Sequence, residues 1–165
     1  LGIVPLLYYT MNPESWHFVN NRSATRFFRE NRLIDDAPRL IFSDVISTVD
    51  ADAWSTRHWD RRVHSPIGDP NAMHAVLREL PVGTVGIWDN QRGQVWHHAS
   101  IEQLEALGFE VLHESRFRAP FQETLHKFIP RLRKRPIEQR MVVVRKTEMR
   151  SPTTLPVIPR PDLDE

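Results

Sequence analysis

Four short apolar runs limit what this chain can fold into: RLIFSDV (39–45), TVGIWD (84–89), FEVLHES (109–115) and QRMVVVRKT (139–147). Each has strand length and is rich in β-branched or aromatic residues. The stretches between them have helical periodicity. A helix is predicted over about 22–31, capped by Asn20 or Asn21, with Ala24, Phe27 and Phe28 as its stripe. A second is predicted over 69–80. Asp69 caps it, Pro70 takes the first helical position, and Met73, Val76, Leu77 and Leu80 are buried. A third, over 100–107, starts at Ser100 with Gln103 three residues on, buries Ile101, Leu104 and Leu107, and stops at Gly108. A fourth, over 121–135, is kinked or divided at Pro130 and turns Phe121, Leu125, Phe128, Ile129 and Leu132 inward. This alternation predicts a small α/β layered domain. Its sheet is four-stranded, mainly parallel and flanked by helices, and the last strand is allowed to run antiparallel at an edge.

Composition narrows the class. The 165 residues are 40% hydrophobic and 26% charged, with 13 Pro, 6 Gly and no Cys. Such a chain can bury one sizeable core and is neither collagen-like nor wholly disordered. Without Cys there is no disulfide, thiolate metal site or Cys nucleophile. No apolar span reaches the ~20 residues that cross a bilayer. Residues 1–14 read as an apolar stub. LGIVPLLYYTM has no basic n-region or cleavage site, and its Tyr8-Tyr9 suits the interfacial end of a membrane helix. A buried strand or a packed arm is the alternative. The opening Leu reads as a piece of a longer polypeptide. Residues 15–150 form the α/β domain, and 151–165, with four Pro, form a tail.

Candidate chemistry lies at the strand ends. Asp44 and Asp89 each close a predicted strand, where ligands of open parallel sheets bind. Two acids there can hold a ribose or sugar hydroxyl or a cation, or can simply cap turns. The following loop adds Asn90, Arg92 for phosphate, and His97 and His98 as acid or base. Trp88 and Trp96 can flank a sugar ring or serve as cover. No metal ligand set and no catalytic residue is assigned: His97-His98 are adjacent rather than helically spaced, and the cluster His58, Asp60 and His64 is equally loose. No glycine-rich phosphate cradle, G-x-S-x-G elbow or nucleic-acid motif occurs, so no cofactor and no nucleic-acid partner is expected. From His126 to Arg150 nine basic residues stand against two acidic ones, while the remainder holds 13 basic and 19 acidic. That asymmetry is either a solvated helix and strand, or a surface for anionic lipid at Lys127, Arg131, Arg133, Lys134 and Arg135.

The sequence of segments SATRFFREN, LIFSD, VGTVGIWDN and SIEQLEALGFEVL resembles the soluble C-terminal portion of polytopic C-type membrane glycosyltransferases, related to polyprenyl-phosphate-mannose mannosyltransferases. The likeness runs from about Ser15 to Lys146. It implies a parent that transfers sugar from a lipid-phosphate donor. This portion would be an accessory domain joined to a membrane-embedded part of the same polypeptide, on the extracytoplasmic side. It also implies that the catalytic acid lies in an early loop outside this chain, so no catalytic role passes to any residue here. Two other classes stay open: a free-standing α/β enzyme or binding domain for a sugar-like or phosphorylated molecule at Asp44/Asp89, and an interaction module using the basic segment 127–150.

Overall fold

A computed structural model of the protein describes residues 13–43, 61–63, 70–90, 99–118, 122–128 and 138–148. In chain order the elements are α1 (Pro13–Glu30), β1 (Leu40–Phe42), α2 (Pro70–Glu79), β2 (Val85–Asp89), α3 (Ile101–Ala106), β3 (Phe109–Arg118), α4 (Gln122–Phe128) and β4 (Glu138–Lys146). The α/β alternation is therefore present, with every predicted strand in place.

The sheet order is β1-β2-β4-β3. Only β1 and β2 are parallel, while β4 runs antiparallel to both β2 and β3. The mainly parallel sheet expected from alternation is thus corrected to a mostly antiparallel one. The last strand is not at an edge but between β2 and β3. Burial explains the placement: Met141, Val142, Val143 and Val144 are all 0% exposed. Four consecutive apolar side chains need cover on both faces, which a central position supplies. β3 carries charges along its length and takes the edge. The outer side of β1 meets residues 61–63, where Val63 N–H donates to Leu40 O at 2.9 Å.

Side-chain alternation divides the core into two layers. Leu40, Phe42, Val85, Ile87, Met141 and Val143 pack against Ala24 and Phe28 of α1. Ile41, Trp88, Val142, Val144 and Phe109 pack against Met73 and Leu77 of α2 and Ile101 and Leu104 of α3. Gly86 pairs with Ile41 across the β1–β2 ladder. A Cβ there would lie 2.1 Å from the Ile41 carbonyl oxygen, so glycine is required.

The ends of the helices follow local chemistry. α3 has both bonds of the capping box, Ser100 N–H to Gln103 Oε1 at 2.7 Å and Gln103 N–H to Ser100 Oγ at 3.2 Å. Gly108 follows with φ 88. α1 ends in a Schellman turn: Leu33 N–H donates to Phe28 O at 3.2 Å and Arg32 N–H to Arg29 O at 3.0 Å. Arg32 takes the left-handed position with φ 49, and the buried Phe28 and Leu33 share the α1 layer beneath the turn.

Two local expectations are corrected. α1 begins at Pro13, not near Arg22, so Asn20 and Asn21 are inside the helix rather than caps. Proline suits a first helical position, and no breaker separates it from Glu30. Phe128, expected to face inward, is 76% exposed at the end of α4. Residues 129–137, including Pro130, lie outside the described residues.

Candidate functional site

Parallel pairing of β1 and β2 brings their carboxyl ends together at Ser43 and Asp89. Ser43 N–H donates to Ile87 O at 3.0 Å, which carries the ladder one residue past β1. The Ser43 hydroxyl donates to Asp89 Oδ2 at 2.6 Å, and Asp89 N–H donates back to Ser43 Oγ at 3.1 Å. Both residues are 0% exposed. The carboxylate thus locks two strand ends together. Asn90 performs a similar task one residue on. Its Nδ2 donates to Glu138 O at 2.9 Å and its Oδ1 accepts from Arg140 N–H at 2.9 Å, extending the β2–β4 ladder with a side chain that imitates backbone. Trp88 is core, 0% exposed, with Nε1 donating to Ala99 O at 2.8 Å.

Of the six ligand candidates, Asp89 and Asn90 are neighbours held in bonds that build the sheet. Asp44, Arg92, His97 and His98 lie outside the described residues, as do Trp96 and the cluster of His58, Asp60 and His64. Of the five lipid-surface candidates, Lys127 is exposed on α4, and Arg131, Arg133, Lys134 and Arg135 lie outside the described residues.

Part of the basic excess is used internally. Arg140 donates from Nε to Glu114 Oε1 at 2.8 Å and from Nη1 to Glu102 Oε1 at 2.8 Å, tying α3 to the sheet. Arg116 stands opposite Arg140 in the β3–β4 register, and Glu114 serves both: Arg116 Nε reaches it at 2.5 Å. Burial raises the Glu114 pKa, but the hydrogen bonds from Arg140 and Arg116 outweigh it and hold the carboxylate below its usual value. Glu102 is held low first by its own backbone N–H, then by Ser100 and Arg140 against partial burial. Glu114 in turn raises the Arg140 pKa.

Lys146 is also consumed. It is 0% exposed, with Nζ donating to Leu77 O at 2.8 Å, Arg78 O at 3.1 Å and Leu107 O at 2.9 Å. Three acceptors need three N–H donors, which only the ammonium has. Burial, with Arg78 nearby, nevertheless pushes the pKa of this group below the usual lysine value. These carbonyls end α2 and α3, where a cation complements the helix dipole. Leu77 O has a further reason to seek a donor: its intrahelical partner would be residue 81, a proline without N–H.

A serine–histidine contact escaped the sequence reading. A register shift between Val111 and His113 leaves Leu112 unpaired, so Leu112 packs in the α1 layer and His113 meets α1 as well. The His113 ring stacks on Phe27 at 4.6 Å and its Nε2 is 3.0 Å from Ser23 Oγ. A nucleophile and base need an orienting third group. Among the described residues no acid meets the other ring nitrogen, so the contact docks α1 onto β3. A bulge leaves no mark in composition, which is why strict alternation misses it.

Among the described residues no group of three His, Asp or Glu side chains is placed to hold a metal ion. No described helix is long and apolar enough to cross a membrane. No known protein family matches the chain, and neither a curated protein nor a solved structure is similar to it.

Proposed function

We propose that this chain is an accessory, extramembrane part of a polytopic C-type glycosyltransferase that uses a lipid-phosphate sugar donor. In this reading it works on the extracytoplasmic side of a membrane and does not transfer sugar by itself. The observation that carries the non-catalytic reading is the enclosure of Asp89. A free-standing enzyme at the strand ends needs an acid that substrate can reach, and of the pair Asp44 and Asp89 the one within the described residues is wholly buried on Ser43. The order of segments from SATRFFREN to SIEQLEALGFEVL supports the relationship to the parent class.

Two measurements test it. Incubating the purified chain with a polyprenyl-phosphate sugar and an acceptor should give no product above background; turnover would sink the accessory reading. The native gene product should sediment with membranes and stay there through a high-salt wash. Recovery in the salt supernatant would remove the link to an embedded part. The second reading, contact of α4 with anionic lipid, is favoured by Lys127 lying exposed beside Phe128. An aromatic next to a cation suits the membrane interface.

A further inference from the structure

β3 is ten residues long and ends the sheet order, so one of its sides has no strand beside it among the described residues. Backbone directions identify the groups left open there. Lys146 N–H donates to Thr84 O at 2.8 Å and Asn90 N–H to Arg140 O at 3.0 Å, so the even-numbered residues of β4 turn their backbone toward β2. Alternation turns the odd ones, Gln139, Met141 and Val143, toward β3. These stand opposite Phe117, Ser115 and His113, whose backbone therefore bonds inward. Glu114, Arg116 and Arg118 turn their N–H and C=O outward. Those outward groups meet no hydrogen-bond partner among the described residues.

An open edge accepts any strand, and charged side chains along it turn most strands away. On β3 the charges differ in sign, and the arginines are accessible: the side chains of Arg116 and Arg118 are 60% and 48% exposed. Consider a second β3 added antiparallel, its outward residues meeting the outward residues of the first. Centring the pair on Glu114 sets carboxylate against carboxylate, and centring it on Arg116 sets guanidinium against guanidinium. Centring it on Ser115 sets each Glu114 opposite the Arg116 of the other copy. Opposite charges facing each other on a ladder stabilise it and like charges destabilise it. Each Arg116 already bonds its own Glu114 Oε1 at 2.5 Å, so two copies in this register close a ring of four alternating charges. The bulge between Val111 and His113 bends the strand, and Ser115 lies near the middle of the straight stretch that follows it.

We propose that the protein pairs with a second copy of itself along β3, antiparallel about a two-fold axis at Ser115, joining two sheets into one. The backbone of Glu114, Arg116 and Arg118 supplies the bonds, and the Glu114–Arg116 order selects the register. The inference stands on β3 and does not rest on the glycosyltransferase reading.

Sedimentation equilibrium of the full 165-residue chain, from about 10 μM to about 1 mM as a small interface requires, should show monomer and dimer in exchange. Over the same range the amides of Glu114, Arg116 and Arg118 should gain protection from hydrogen exchange with concentration. Those of His113, Ser115 and Phe117 should stay protected throughout. Arg116→Glu sets carboxylates face to face and should weaken the dimer by roughly tenfold or more. Glu114→Arg does the same with guanidinium groups. Mixing the two variants restores opposite charges at each facing pair, so a heterodimer should form where neither variant pairs alone. Circular dichroism checks that each variant folds. If Glu114→Arg does not fold beside Arg140, Arg116→Pro takes its place: it removes only an outward N–H, so it should loosen the dimer and leave the inward amides protected. A chain that stays monomeric over the whole range overturns the proposal, as does a dimer whose outward amides exchange freely. So does a mixture no more associated than its components. Outward amides protected equally at every concentration would assign the edge to another segment of the same chain, and overturn it too.

Discussion

Replacing Lys146 with methionine tests the reading of the helix ends directly. Methionine keeps most of the length and apolar surface of the stem but removes the ammonium. Leu77 O and Leu107 O, both in buried bonds, then lose their donor, while the partly exposed Arg78 O can turn to water. Two unmet buried carbonyls cost about 2–6 kcal/mol. Part is recovered because methionine spares the desolvation of a charge, so a net loss of about 2–3 kcal/mol is expected. In a domain of this size that lowers Tm by roughly 5–10 °C. Urea unfolding at pH 7 of both proteins measures it, with an unchanged denaturant slope as the check on the unfolded state. A Lys146→Met variant as stable as the wild type, or more so, would refute the argument that these carbonyls depend on the ammonium. A pH series adds a second reading. Burial depresses the folded pKa of Lys146 below its ordinary 10.5, so between the two values the unfolded chain binds more protons. The lysine's contribution therefore rises with pH from the folded pKa up to 10.5, and that slope is absent from the methionine variant.

Gly86→Ala places a Cβ 2.1 Å from the Ile41 carbonyl oxygen and 2.3 Å from Ile41 Cγ1, a clash with backbone that no rotamer relieves. The loss should reach or exceed the overpacking range of about 1–3 kcal/mol; an unshifted urea midpoint would show that β1 can withdraw at little cost. Arg140→Gln should cost about 1 kcal/mol at neutral pH, since the network is partly screened by solvent. Glu114 and Glu102 titrate below their ordinary 4.5 in the folded protein, so they stabilise it above that pH and cease to do so as pH falls through their folded values. Melting temperatures taken from about pH 6 down to pH 3 should therefore fall less steeply in the glutamine variant, and parallel curves would count against the network.

Much of the layering was legible because burial repeats with the period of each element. The stripe Met73, Leu77, Leu80 and the capping box at Ser100 read directly as helices, and the structure has them. Strand direction was not legible. A run such as MVVV shows that both faces are covered, yet looks the same in either direction, and its central place between β2 and β3 was read as an edge. The start of α1 was missed because the positions that would carry the stripe of Ala24 and Phe28 back toward Pro13, His17, Asn20 and Asn21, are polar, so the stripe begins well after the helix does. At the strand ends the pattern located Asp89 but not its state. A carboxylate that binds ligand and one that locks a neighbouring serine have the same place in the sequence, and burial alone separates them. Lys146 shows the reverse. It read as one more charge in a basic run, because nothing local reveals that two distant helices end at its ammonium.

The central position of β4 also governs how a growing chain can fold. β2 and β3 share no edge, and the pairing of Val85 with Arg145 spans most of the distance between the second strand and the last described residues. Until β4 emerges, a nascent chain holds only the β1–β2 pair and an unattached β3, with the apolar edge of β2 uncovered. Ribosome exit therefore precedes assembly, and the nucleus must contain contacts remote in sequence, which slows closure. A product truncated before Glu138 would present that open edge to other chains, making it a substrate for chaperones or a seed for aggregation rather than a smaller stable domain.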